Sequence, residues 1–423
     1  MARKMKDSGI EWIGEIPEGW EIVPVRSCFD EVRTKNTDGQ EQNALQFKSG
    51  NIISKTNFNA SMDDYVADTI TNYTVVLPDT VMINGLNLNY DFKSLRVALV
   101  KEKGVITSAY LAIFPDRKKI SPQYATYLFK GYETKMAFHN MGAGIRKTLG
   151  YKEFKNQPLL LPSEKEQNKI SAYLDSKCSH IDIMLSKIRS SIEEYKKLKQ
   201  AIITQAVTKG VRGKREMKDS GVEWIGEIPK EWDILNLVAH TSMLTPMRDR
   251  PENLDGPIPW IRIEDFDGKY ISSSKASLGV SKETVQSMNL KIYPVGTILC
   301  TSSCIMGKCA IVSRELVSNQ RFIGIIPDQN TCENFLYYLM LSNSERMNYL
   351  ATGALQANLS RSSFEHLKVQ FPSYQEQKEI ADYLDAKCAE IDGLIAKKEQ
   401  LVKELESYKK SLIYEVVTGK REV

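Results

Sequence analysis

The chain has 423 residues, 42% hydrophobic and 26% charged, with 57 basic against 53 acidic side chains for a formal charge of +4. That length holds two or three domains with real cores, the composition excludes a disordered or fibrous protein, and the near-balance of charge requires any basic footprint to be local. The seven cysteines are odd in number and scattered, which argues against a disulfide framework, and the longest uncharged stretch, Ile292 to Gly307, is too broken by Pro, Gly, Ser and Thr to span a membrane. No secretory apolar region follows the opening MARKMK, so a cytoplasmic location is expected.

The first element is a turn-rich block, MKDSGIEWIGEIPEGW, from Met5 to Trp20. It returns as MKDSGVEWIGEIPKEW from Met217 to Trp232, with thirteen of sixteen positions identical. Asp7-Ser8-Gly9 is a turn cluster, and Pro17 suits the second position of a type I turn. The second copy has Glu231 in place of Gly19, which excludes a turn needing positive φ there. Trp12, Ile13 and Trp20 are expected to lie as a lid on the domain core; base stacking by the tryptophans is the weaker reading.

A variable segment follows, roughly residues 28–139, and a second runs roughly over residues 238–349. The two do not align by eye. Each reads as mixed α and β. TVVLPDTVMING and RVALV look like strands around a turn, and SPQYATYLFKGYETKMAF like a helix. In the second segment GTILCTSSCIMGKCAIV reads as strand, polar loop, strand, and CENFLYYLMLSNSERMNYLA as a helix.

The block PSEKEQNKISAYLDSKCSHID (Pro162–Asp182) then opens a long helix and returns as PSYQEQKEIADYLDAKCAEID (Pro372–Asp392), with 12 of 21 positions identical. Ser163 with Glu166, and Ser373 with Glu376, have capping-box spacing. Apolar residues then recur in heptads: Leu174, Ile181 and Ile188, flanked by Met184, Cys178, Leu185 and Ile192; then Leu384 and Ile391, with Leu394 and Leu401. Two such helices in one chain are expected to pair antiparallel, with Cys178 and Cys388 as small core residues. Their stripes are wider than one pairing seam needs.

Polar loops in the variable segments carry the side chains that pair with base edges and phosphates. In the first these are Lys48, Asn51, Asn84, Asn87, Asn89, Tyr90, Lys93, Arg96, Arg146 and Lys147. In the second they are Arg248, Arg250, Arg262, Lys269, Ser302, Ser303, Lys308, Gln320, Arg321, Gln356, Asn358 and Arg361. Ordinary solvated loops hold the same residue types, but their concentration where the two copies diverge favours a reading role. No Walker signature occurs, and Cys300, Cys304 and Cys309 have no histidine partner nearby. Asp116 with Glu133 and Lys135 loosely matches a metal-dependent nuclease motif, but Glu133 and Lys135 fall in a predicted helix.

The GxEWIGEIPxxW opening, the PSxxEQxxIxxYLDxKCxxID helix start and their repetition in order closely resemble the specificity subunit of type I restriction–modification enzymes. The resemblance covers essentially the whole chain. One departure is Gln356, which stands where the first copy has Arg146.

The resemblance implies an α+β fold of two globular target recognition domains, residues 1–162 and 213–372, separated by long helices in residues 163–212 and 373–423 that pair as an antiparallel coiled coil in a pseudo-twofold repeat. Each domain would read one half of a split double-stranded DNA site. The helices would set the spacing and dock two modification (methyltransferase) subunits, with Leu174, Ile181, Met184, Ile188, Leu384, Ile391, Leu394 and Leu401 as the docking positions. Motor-nuclease restriction subunits would join them. The chain itself would hold no catalytic residue, metal or cofactor; S-adenosylmethionine, ATP and Mg²⁺ would belong to the partners. The competing readings are a stand-alone metal-dependent nuclease using Asp116, Glu133 and Lys135, and a coiled-coil adaptor that binds only protein.

Overall fold

The computed structural model describes residues 3–48, 50–55, 70–92, 95–144, 147–246, 250–303, 307–350 and 359–423. The fold is α+β. The chain forms two compact units, one made of residues 1–189 with 399–423, the other of residues 190–398. The division falls within both long helices rather than at their ends.

In the first unit the duplicated block forms a hairpin, Met5–Asp7 against Glu15–Pro17. Its following turn closes from the Trp20 N–H to the Pro17 carbonyl, 3.0 Å. Pro17 is therefore the first residue of the turn, one place earlier than expected. The second copy makes the same bond from Trp232 to Pro229, also 3.0 Å, with no call on residue 19 or 231 for special φ. Ile13 and Trp20 are buried in the core and Trp12 packs half-buried against it, as a lid should.

Strand Glu21–Pro24 pairs antiparallel with Pro158–Leu161. Between them lies a four-stranded antiparallel sheet in the order Phe29–Glu31, Leu111–Pro115, Val81–Ile83, Val97–Leu99. Helix α1 (Pro122–Thr134) starts at an N-cap Ser121 whose hydroxyl accepts the Tyr124 N–H, and it buries Tyr124, Leu128, Phe129 and Tyr132 in the core. The expected longer helix breaks at Met136, which adopts a left-handed φ of 52°, before the short helix α2 (Ala137–Met141). Helix α3 (Tyr151–Phe154) leads to the long helix α4 (Glu164–Lys209).

The second unit repeats this plan. Asp233–Asn236 pairs with Lys368–Phe371. The sheet runs Thr241–Leu244, Phe322–Pro327, Ile298–Thr301, Cys309–Val312, with Tyr270–Ile271 added in parallel at its edge. Helix α5 (Lys282–Ser287) belongs to an insertion with no counterpart among the described residues of the first unit. The expected single helix over residues 332–351 is two, α6 (Glu333–Ser342) and α7 (Ser344–Leu350), divided at Asn343, whose amide donates to the Leu339 carbonyl. Helix α8 (Arg361–Glu365) precedes the second long helix, α9 (Tyr374–Val417).

Equivalent hydrogen bonds show that the variable segments share one frame. The Asn84 N–H donates to the Arg96 carbonyl (2.8 Å), and the Thr301 N–H to the Lys308 carbonyl (2.9 Å). The Leu149 N–H donates to the Gly85 carbonyl and the Leu359 N–H to the Ser302 carbonyl, both 2.9 Å. Gln167 accepts the N–H of Ser121, and Gln377 that of Cys332, both at 2.8 Å.

The expected capping boxes form only in part: the Ser373 hydroxyl accepts the Glu376 N–H at 3.4 Å, but both glutamate side chains are engaged elsewhere. Glu166 accepts the Trp20 indole N–H at 2.9 Å and pairs with Arg3; Glu376 accepts the Trp232 indole N–H at 3.0 Å and pairs with Arg215. The glutamates thus join the helix start to the duplicated block. That block also seats a helix end. In the first unit Leu412, Ile413, Val416 and Val417 of α9 enter the core with Trp20, and the Tyr414 hydroxyl donates to the Trp12 carbonyl at 2.7 Å. In the second, Ile203, Ala206 and Val207 of α4 do so beside Trp232.

The antiparallel pairing of α4 with α9 is seen within each unit. Lys409 meets Asp182 and Arg189 meets Glu406 in the first; Lys199 meets Asp392 in the second. Among the described residues, no helix is long and apolar enough to cross a membrane, and no cluster of His, Cys, Asp or Glu is placed to hold a metal.

Candidate nucleic-acid interface

Three loops of the first unit meet at one end of its sheet. The segment 84–92 follows strand Val81–Ile83. Leu88 is its anchor: the side chain is buried, and its N–H donates to the Lys147 carbonyl at 3.2 Å. A Cβ on Gly142 would lie 2.7 Å from the Leu88 side chain, and one on Gly85 would lie 2.4 Å from the Leu149 carbonyl oxygen. Only glycine permits both approaches. The third loop is the tip of the hairpin Leu45–Lys48 with Asn51–Ser54, where Gly50 approaches the Leu95 side chain. The structure therefore gathers Lys48, Asn51, Asn84, Asn87, Asn89, Tyr90 and Lys147 around this end. Tyr90 is 74% exposed, and Asn87 and Lys147 sit in left-handed turns at φ 53° and 39°.

Arg96 is a correction. It was expected to touch DNA, but its side chain is only 1% exposed and its guanidinium donates to carbonyls inside the loop. Lys93 and Arg146 lie outside the described residues.

The second unit gathers a matching set. The Ser302 N–H donates to the Arg321 carbonyl at 2.8 Å, and the Ser302 carbonyl accepts from Leu359. This joins the segment after strand Ile298–Thr301 to exposed Gln320 and Arg321 and to the approach to α8, where exposed Arg361 pairs with Glu365. Lys308 is exposed at the other end of the same loop. Arg250 is exposed too. Arg248, Gln356 and Asn358 lie outside the described residues, as does Cys304.

Three expected contacts have other employment. Ser303 is buried. Arg262 pairs with Glu264 at 3.2 Å, and its N–H is taken by buried Asp265. Lys269 points into a crevice of about 520 Å³ beside α9, with its Nζ 2.5 Å from Asp385 and 5.1 to 5.7 Å from the rings of Tyr270, Tyr337 and Tyr338. A paired, ring-enclosed ammonium of this kind has little left to offer a phosphate.

The helix stripes also divide. Leu174, Ile181, Leu384 and Ile391 are buried within their own units and cannot receive a partner, which corrects their assignment as docking positions. Met184, Leu394 and Leu401 are exposed, Ile188 half-buried. Cys178 and Cys388 are buried free thiols, and burial pushes both above the ordinary thiol range.

The nuclease residues are spent locally. Asp116 accepts the Lys118 N–H and pairs with Lys119, which holds its carboxyl below the usual range. Glu133 accepts the Arg96 N–H, and burial raises its carboxyl to about 7. The alternatives of a nuclease or a protein-only adaptor find no support.

A duplicated α+β scaffold with a polar loop cluster on each copy is the architecture of a two-headed recognition protein. Residues 233–404 match the type I restriction modification DNA specificity domain family. The chain is 25% identical to the type I restriction enzyme MjaX specificity subunit of Methanocaldococcus jannaschii, across 96% of this chain and 95% of that one. It is 23% identical to the MjaVIII specificity subunit of the same organism, across 96% and 93%. A solved structure described by complex assembly and conformational transition of the type I R-M system shares the fold at a TM-score of 0.72 and 13% identity, covering 96% of this chain and 99% of that one. The HsdS subunit of Thermoanaerobacter tengcongensis shares it at 0.52 and 13% identity, covering 99% and 100%. The chain is thus similar along nearly its whole length to specificity subunits of type I restriction–modification enzymes, and residues 233–404 match their DNA specificity domain.

Proposed function

We propose that this chain is the DNA sequence-recognition subunit of a type I restriction–modification complex, in which each unit reads one half of a bipartite double-stranded site. The observation that carries this is the pair of loop clusters. The same hydrogen-bonded frame presents, at the same end of each sheet, loops that differ in length and side chains. A conserved frame with different Asn, Gln, Arg and Lys fingers is what reading two unlike base sequences requires.

The helices set the gap between the half-sites and dock two modification subunits, and exposed Met184, Leu394 and Leu401 contribute to that docking. Methyl transfer and cleavage reside in the partners, with S-adenosylmethionine, ATP and Mg²⁺ bound there; restriction subunits add the motor. The complex works on cytoplasmic DNA. The test is to express the chain with its modification partner and map methylated positions across a genome. A single split motif is expected; methylation at random, or none, would refute the reading.

A further inference from the structure

We propose that Arg96 is a positioning residue for the first reading loop, setting the specificity of that unit without touching DNA. The inference rests on the proposed role of residues 84–92 as a DNA contact. The guanidinium donates through Nη1 to the carbonyls of Asn84 (2.9 Å) and Leu86 (2.8 Å), and through Nη2 to the carbonyl of Asp91 (2.5 Å). The Asp91 carboxylate lies 3.7 Å away. The backbone of Arg96 is held as firmly: its N–H donates to Glu133 at 2.5 Å and its carbonyl accepts from Asn84 at 2.8 Å.

One residue thus fixes both ends of the turn from 84 to 91. With those carbonyls drawn inward, Asn87 and Tyr90 are left on the outer face. A planar fork can serve three carbonyls in fixed directions; a lysine ammonium offers no such geometry. The second unit shows why the device is needed here. Its equivalent loop spans only residues 302–308, and there the position of Arg96 is taken by exposed Lys308. Gly307 instead lies against Ser344, where a Cβ would come within 2.4 Å. A close approach at Gly307 thus stands in the second unit where the first has a buried fork.

The test uses the chain assembled with its modification partner. Binding is measured to duplexes carrying the mapped wild-type site and to duplexes with one base pair changed in either half. Arg96→Met should lower discrimination in the half read by the first unit by about tenfold or more, leaving discrimination in the other half within about twofold. Arg96→Lys should fail to restore it. A purely structural role would weaken all duplexes alike, and that result, or unchanged discrimination, overturns the proposal. If Arg96→Met does not assemble, Arg96→Lys carries the test; if neither assembles, Arg96 is a folding determinant and the proposal falls. A wild-type complex without any split-site preference would instead refute the proposed function, so the two failures are told apart.

Discussion

Glu133 sits where burial and partnership oppose each other. Burial raises its carboxyl to about 7, and the Arg96 N–H and guanidinium only partly offset this. The folded chain therefore keeps a proton that the unfolded chain releases from about pH 4.5 upward. Protons bound more tightly by the native state mean that stability falls as pH rises through that window. Glu133→Gln removes the titration and keeps an oxygen for the Arg96 N–H. Relative to this variant, the wild type should lose roughly 1–3 kcal/mol of stability between pH 5 and pH 8, read from paired thermal-midpoint series. Parallel curves would show that Glu133 stays ionised. Leu88 offers a second check. Leu88→Ala should cost roughly 2–5 kcal/mol locally, because the cavity beneath the loop cannot collapse around Gly142. Faster hydrogen exchange at residues 84–92 is the expected signal, and unaltered protection there would remove Leu88 as the anchor.

At the scale of elements, the helix stripes separate inner from outer duty. Ile181 is buried, so Ile181→Asp should destabilise the first unit by more than about 4 kcal/mol and leave little folded chain. Met184 is 44% exposed and Leu401 43% exposed. Met184→Asp with Leu401→Asp should leave the circular dichroism spectrum and thermal midpoint nearly unchanged while reducing co-purification of the modification partner. Full recovery of the partner would place its docking surface elsewhere. The cross-helix pairs Lys199–Asp392 and Lys409–Asp182 are partly exposed and contribute only about 0.2–1 kcal/mol each. Their use is register: they match an early residue of one helix with a late residue of the other.

For the whole molecule, two changes address the division of labour. Exchanging residues 28–139 for those of a relative should alter one half of the methylated motif and leave the other as it was. A change in both halves would contradict separate readers. Inserting seven residues after Arg189 and after Glu399 adds two helical turns to each helix, roughly 10 Å, while keeping the heptad register. Mapped sites should then carry a gap longer by about three base pairs, given a rise near 3.4 Å per pair. Full activity at the original gap would mean that these helices do not set it.

The sequence by itself determined the repeat, the α+β character, the two helices and the strands Val81–Ile83, Val97–Leu99, Ile298–Thr301 and Cys309–Val312, because these follow from local periodicity and turn chemistry; most of the other strands were not legible in it. It also placed the polar loops: Asn84, Asn87, Tyr90, Lys147, Lys308 and Arg321 do converge at sheet ends. It could not distinguish an arginine that faces solvent from one that ties a loop together, since Arg96 and Arg321 both stand where a polar loop gives way to an apolar strand along the chain. Nor could it tell which heptad positions face inward, because the stripe is wider than the seam and each helix lies against a globular core as well as its mate. The Trp20–Glu166 and Trp232–Glu376 bonds join residues 146 and 144 positions apart, and local spacing assigned those glutamates to a cap. Only tertiary structure decides such matters: burial and hydrogen-bond partners are set by what the fold brings from a distance, and periodicity carries no record of that.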